Sequence, residues 1–108
     1  MYNEVIYLVT TQSVINDVGD QIKKQIRSMR FAKLKSIGQS EFYQAQAQGL
    51  KPELKFVLAD FLDYDNQEEI VYNNFRYKVL RTFRTEKNEI EITCYGGVRL
   101  EVASDGDS

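Results

Sequence analysis

The sequence predicts an all-β domain: a small antiparallel β-barrel or sandwich of six to seven strands, with one short helix in a long inter-strand loop. Apolar residues recur with a period of two along most of the chain, as in strands with one buried face. The dipeptide Asn73-Asn74 stands between two such runs and is typical of a tight hairpin turn. With 108 residues, of which 43% are hydrophobic, the chain fits a single folded domain over residues 1–108.

The first two strands are expected at about residues 4–13 and 26–37. In the first, Ile6 and Leu8 alternate with neighbours of the other parity, which predicts at least one buried face. The polar passage between the strands contains Gly19 and other turn residues. In the second, Phe31 is expected in the core, but it shares its parity with Lys33, so we expect a bulge or strong bend there.

Residues 38–53 form a long insert after the second strand, which is expected to be flexible. Its segment "GQSEFYQAQAQGL" carries a single charge, on Glu41. Ser40 is a plausible N-cap and Gly49 a plausible left-handed C-cap for a helix of two turns. So short a helix needs packing partners to persist. The alternative to a mobile insert is an ordinary surface helix anchored by Phe42 and Tyr43.

Four further strands are expected at about 53–60, 69–72, 75–84 and 89–95. A type I′ turn at Asn73-Asn74 places Tyr72 opposite Phe75. A weak additional strand through Val98, Leu100 and Val102 precedes an acidic tail, residues 103–108, that is expected to be mobile.

The hairpin between the last two of these strands has a register that the sequence also predicts. A four-residue turn over residues 85–88 sets Val79 opposite Cys94 and Phe83 opposite Ile90. The same register places Arg84 opposite Glu89 on the outer face.

Charges are segregated along the chain, although the formal net charge is only −2. Residues 21–37 contain six basic and no acidic side chains, and residues 60–69 contain five acidic and no basic ones. Such segregation suits a surface that meets different partners on different sides, or its own copies head to tail. Two solvated charged loops are the alternative interpretation.

Common catalytic and metal-binding residues are scarce. The chain has no histidine and one cysteine, Cys94, whose parity predicts a core position. A zinc site of the usual composition needs several cysteine or histidine ligands, which this sequence lacks. Asp63 and Asp65 are spaced like the first ligands of an EF-hand loop, but Glu68 replaces the required glycine and Asn74 the final glutamate. We therefore expect no enzymatic activity, cofactor or metal.

Three passages resemble the head-tail adaptor, or head closure, proteins of tailed bacteriophages with long non-contractile tails. The first is "FAKLKSIGQSEFYQAQ", which carries Phe31, Ala32, Leu34, Gly38, Glu41, Phe42, Tyr43 and Ala45 at the family's positions. The second is "IVYNNFRYKVL", with Val71, Tyr72, Phe75, Tyr77 and Val79, and the third is "IEITC", with Ile90, Ile92 and Cys94. Their order and spacing agree from about residue 5 to 95, and the chain departs where Asn74 replaces a frequent glycine.

The resemblance implies a non-enzymatic β-barrel that assembles as a ring under the portal and adaptor proteins, closes the DNA exit channel and provides the docking surface for tail proteins. Packaged DNA passes through without sequence-specific binding. The expected location is the virion connector, or the bacterial cytoplasm when a prophage encodes the chain. No membrane segment is expected, and the isolated chain is expected to be monomeric because such rings form on a template.

Three sets of residues are candidates for contacts in such a ring. The insert would face the channel through Glu41, Phe42, Tyr43, Gln44, Gln46 and Gln48. A basic face would dock partners through Arg27, Arg30, Lys33 and Lys35. An acidic loop would make contacts through Asp63, Asp65, Glu68 and Glu69.

Two other functions stay open at this point. A small β-barrel that binds nucleic acid would use the basic residues around Phe31. A tail-completion protein below the closure ring is a further possibility within the assembly class.

Overall fold

A computed structural model describes residues 1–100 as a mainly β structure of six strands, one α-helix and one short 3-10 turn. The strands are β1 (Glu4–Ile15), β2 (Gln21–Lys35), β3 (Pro52–Leu58), β4 (Glu69–Tyr72), β5 (Phe75–Arg84) and β6 (Ile90–Arg99). Helix α1 (Gln39–Ala47) lies between β2 and β3, and the 3-10 turn is Phe61–Asp63. The predicted all-β class is confirmed.

The six strands pair antiparallel in the order β1-β2-β3-β6-β5-β4 and close into a barrel. The side chains that point inward form one apolar core, to which every strand except β5 contributes a fully or nearly fully buried residue. Its buried members are Ile6, Leu8, Ala32, Phe56, Leu58, Ile70, Ile90, Ile92 and Cys94. Cys94 therefore lies in the core, as its parity predicts.

Strands β1 and β2 extend well beyond the barrel as a two-stranded arm, residues 10–26. β4 pairs with β1 only at Tyr7–Val9, and β3 pairs with β2 only at Ala32–Lys35. The molecule is consequently elongated, with principal extents of 49 × 29 × 28 Å. The prediction began β2 at about residue 26, because the polar run before it was interpreted as a loop; that run is strand, and it pairs without interruption to Ile15.

The bulge expected in β2 is not there, because its pairing with β1 and with β3 proceeds without a register shift. Phe31 instead points outward and is 56% exposed, so its predicted core position is wrong. The inward position beside it belongs to Ala32, which is fully buried opposite Leu58.

The hairpin β4–β5 has the predicted register, with Tyr72 opposite Phe75 and Ile70 opposite Tyr77. Its turn residues Asn73 and Asn74 have φ angles of 52° and 68°. Both values lie in the left-handed region that a type I′ turn requires.

The hairpin β5–β6 has the predicted register only in its middle, at Lys78 and Val79, because the register shifts on both sides of them. Val79 lies opposite Cys94, but the register shifts between Val79 and Arg81, so that Phe83 faces Glu91. The extra residue, Leu80, reverses the faces of everything after it. The predicted pairs Phe83–Ile90 and Arg84–Glu89 are therefore wrong.

The separate strand predicted through Val98 is not found in the described residues, because Val98 belongs to β6. Val102 and the acidic tail, residues 103–108, lie outside the described residues.

Candidate functional site

Helix α1 packs on the outside of the barrel through its one charged residue. Glu41 and Ala45, one turn apart, are the buried residues of the helix, and Glu41 is only 7% exposed. The Glu41 carboxylate binds Lys55 of β3 at 2.6 Å, and the Thr93 hydroxyl of β6 donates to it at 2.6 Å. The Arg81 guanidinium of β5 donates to it at 3.1 Å. One carboxylate thus joins the helix to three strands.

The electrostatic balance at Glu41 favours its ionised form. Burial by itself would raise the pKa of this carboxyl, but the hydrogen bonds from Lys55, Thr93 and Arg81 outweigh burial and lower it. Lys55 is 8% exposed and also lies 3.6 Å from Glu91. The pair is therefore a structural contact, in which both charges have partners.

The ends of α1 differ from the prediction at one end only. The helix begins at Gln39 after Gly38, and the Ser40 hydroxyl does not cap it, because Ser40 already lies in the first turn. At the other end, Gly49 has a φ of 76°, and the amides of Gly49 and Leu50 donate to the carbonyls of Gln46 and Ala45. This is the glycine C-cap that the sequence predicts.

The candidate channel-facing residues of the insert divide into two groups. Glu41 does not face outward; it lies against the barrel, so its place in that set is corrected. Phe42 is half-buried and Tyr43 exposed, which leaves neither as the main anchor. The residues Gln44, Gln46 and Gln48 are exposed, as the prediction requires.

The partners of Glu41 were not among the predicted site residues; they are Lys55, Arg81 and Thr93. The sequence nevertheless contains a signal for Glu41 and for Arg81. Glu41 is the single charge in an otherwise neutral stretch, and Arg81 is a charge on the apolar parity of its strand. An isolated carboxylate and an isolated arginine in such positions are candidates for a buried ion pair.

The structure does not bring the predicted basic face together as one surface. Arg30 shares the inward parity of Ile6, on the opposite side of β2 from the other three residues, and its guanidinium donates to the carbonyl of Asp63 at 2.9 Å. Lys33 binds Glu89 at 3.4 Å, and Lys35 binds Glu91 at 2.6 Å. Arg27 is exposed on the outer face.

The acidic loop is likewise divided. Glu69 begins β4 and lies 3.8 Å from Arg76, whereas Asp63, Asp65 and Glu68 are exposed. Asp60 caps the 3-10 turn by accepting a hydrogen bond from the Leu62 amide at 2.9 Å. This leaves Leu62 projecting into solvent, 74% exposed, between acidic residues.

Four apolar side chains form an exposed patch on the outer face of β1 and β2. The register places Val5 opposite Phe31 and Tyr7 opposite Met29, all on one face. All four are more than a third exposed. We call these residues the outer patch. A contiguous apolar patch of this kind is typical of a surface that binds another macromolecule.

A groove of about 700 Å³ lies between the arm and the acidic loop. Charges of both signs line it, among them Lys23, Arg76, Asp65, Glu68 and Glu69. Small-molecule sites are mostly apolar with a few polar groups. This lining therefore does not resemble a cofactor pocket.

The remaining reactive group, the thiol of Cys94, is buried in the core, and burial raises its pKa to about 12. A thiol of this pKa is a poor nucleophile at neutral pH. Within residues 1–100, no group of three or more acidic, cysteine or histidine side chains is placed to hold a metal ion.

Comparison with known proteins does not identify a family for the chain. Neither the models of protein families nor the curated protein sequences gave a match to the chain. Over residues 1–100, no helix has the length and hydropathy needed to span a membrane.

Proposed function

We propose that this chain is a non-enzymatic virion assembly protein that acts like phage head closure proteins, forming a ring under the portal and adaptor proteins. The main support is the arm, which extends from a closed barrel and carries large apolar side chains in solvent. Those side chains are Ile15, Val18, Ile22 and Ile26.

A two-stranded ribbon is marginally stable alone, and apolar residues in solvent cost free energy. Both costs are removed when another protein covers the arm. The barrel supplies a rigid base, because closure leaves no unpaired edge within it. An assembly module combines these properties, whereas none of them serves catalysis.

The helix insert fits the same proposal. Its exposed glutamines, Gln44, Gln46 and Gln48, are neutral, so they neither attract nor repel the phosphates of passing DNA. The ion pairs of Glu41 hold the helix against the barrel in the single chain, and partners in a ring would compete with that contact.

The test is reconstitution with portal and adaptor proteins encoded next to this gene. The variant to use lacks residues 11–25, with Asn-Gly joining Thr10 to Ile26, two residues that face each other across the ribbon. We expect wild-type chain, and not the arm-less variant, to bind the connector. Equal binding of the two would show that the arm is not the docking element. Failure of both to bind, or a gene without portal and capsid neighbours, would refute the proposed function.

Nucleic-acid binding is a second candidate, because one observation favours it. Phe31 and Tyr7 are exposed on the same face as Arg27, and small barrels bind single strands through stacked aromatics and basic side chains. The neutralisation of Lys33 and Lys35 by Glu89 and Glu91 weakens it. Binding to a single-stranded oligonucleotide that falls steeply with added salt would support this candidate, and no such binding would reject it.

A further inference from the structure

We propose that the outer patch of one copy of this chain binds Leu62 of a second copy. The inference rests on the proposed ring for its biological role, and it names the surfaces through which neighbouring copies meet. The inference is based on two exposed features of the chain, which lie on different surfaces of the molecule.

The first feature is the outer patch itself. Its centre is the pair Met29 and Phe31, which are 49% and 56% exposed, and Tyr7 and Val5 face them across the β1–β2 ladder. These side chains belong to the part of both strands nearest the barrel, where Ile6 and Leu8 are fully buried on the other face. The patch is therefore presented by a well-supported sheet.

The second feature is the Leu62 turn, residues 60–65. The hydrogen bond from the Leu62 amide to Asp60 and that from the Arg30 guanidinium to the Asp63 carbonyl fix its backbone. Leu62 is thus an apolar side chain held in an outward position. A turn whose backbone is already fixed loses little backbone entropy when its side chain binds.

Charge complementarity selects this partner for the patch. Arg27 lies beside Met29 on the outer face, opposite Val9, and is exposed, whereas Lys33 beside Phe31 already binds Glu89. Asp63 and Asp65 follow Leu62 closely in the sequence, and both are exposed. The exposed Arg27 beside the patch can therefore meet the exposed Asp63 and Asp65 beside Leu62, and opposite charges around apolar contacts favour specific association.

The chain cannot make this contact with itself. Arg30, which holds the Leu62 turn, points to the side of β2 opposite Met29 and Phe31, because successive residues of a strand alternate between faces. The turn and the patch are thus two different surfaces of one molecule. Contacts between different surfaces of identical copies are heterologous and generate rings or filaments.

The experiment is disulfide trapping between two variants that each gain one exposed cysteine, Met29→Cys and Leu62→Cys, and one of the two is labelled with ¹⁵N so that mass separates mixed from like dimers. The native Cys94 is buried and does not compete. We expect mixed dimers well above the share that random collision gives, falling when salt is added. Trapping detects a weak contact, so an otherwise monomeric chain suffices.

Two controls make the outcome decisive. Val98 is 66% exposed on β6 and lies outside both features, so a mixture of Val98→Cys with Met29→Cys should give only the random share. Arg27→Glu in the Met29→Cys chain should reduce trapping, and Asp63→Lys with Asp65→Lys in the Leu62→Cys chain should restore it.

Random shares in every mixture would overturn the proposal. The proposal would also be overturned if a single-stranded oligonucleotide protected the cysteine of Met29→Cys from a maleimide while trapping stayed at the random share. Because no phage component is present, the result is independent of connector binding. Trapping without connector binding would refute the phage function alone, and connector binding without trapping would refute this contact alone.

Discussion

The Glu41 carboxylate lies 2.6 Å from the Lys55 ammonium in a contact where both side chains are almost completely buried. It is the bond through which a short helix with little apolar surface is attached to a barrel.

Glu41→Gln should destabilise the chain by on the order of 3 kcal/mol, because Lys55 then keeps only the 3.6 Å contact with Glu91 as a charged partner. Chemical denaturation measures the change. Hydrogen exchange should show that the amides of α1 lose protection while those of β3 keep it. Gln46→Ala, on the exposed side of the same helix, is the control and should change stability by less than about 0.5 kcal/mol. Equal protection of α1 in wild type and Glu41→Gln would contradict this role.

Stability should fall in acid partly through Glu41. Its folded pKa is lower than the ordinary value of 4.5, so the contact contributes fully above pH 4.5 and is lost as pH falls through the folded pKa. Other carboxylates, such as Glu89, act in the same direction. The measurement is therefore the difference in free energy of unfolding between wild type and Glu41→Gln, which should shrink below pH 4.5. A difference that does not change with pH would count against an ionised Glu41.

The arm should exchange its amide hydrogens faster than the barrel, although one continuous ladder connects them. The amides near the pair Ser13–Lys23 have no third strand, whereas those near Leu8–Ser28 lie where β4 joins β1. Local opening of the arm exposes little apolar surface and costs less than global unfolding. The arm-less variant should keep the exchange rates of the remaining barrel; a loss of protection throughout would show that the arm supports the fold.

The turn residue Asn74 should tolerate glycine and resist alanine. Its φ of 68° lies in the left-handed region, which costs a residue with a Cβ about 1 kcal/mol. Asn74→Ala should therefore lower the free energy of unfolding by about that amount, while Asn74→Gly should leave it unchanged or raise it slightly. Thermal unfolding of the two variants gives the comparison, and equal losses would point to the Asn74 side chain instead.

The sequence predicted the strands well where period-two patterning and turn chemistry agreed. The bounds of β4 and β5 and the Asn73-Asn74 register depend on local residues alone. The start of β2 was missed because its polar residues have no core to face, so no apolar pattern marks them. The register after Val79 was missed because Leu80, the bulge residue, is as apolar as Val79 and nothing in its side chain marks an extra residue.

The candidate site was predicted less completely, because its key contacts join distant segments. Glu41 was recognised as unusual, but its partners Lys55, Arg81 and Thr93 come from three other elements. Nothing in a local pattern pairs them. Phe31 was assigned to the core on hydrophobicity alone, which does not distinguish a core side chain from one in an exposed apolar patch.

The barrel is closed by a short seam between β1 and β4, from Tyr7 opposite Val71 to Val9 opposite Glu69. The hairpins on either side of the seam form from neighbouring residues, whereas the seam joins opposite halves of the chain and so bears the larger loop-closure entropy. We therefore expect the β1–β2 and β4–β5 hairpins to form before the barrel closes. Pairing along the seam joins β1, which carries the arm, to β4, and so sets the direction of the arm relative to the barrel.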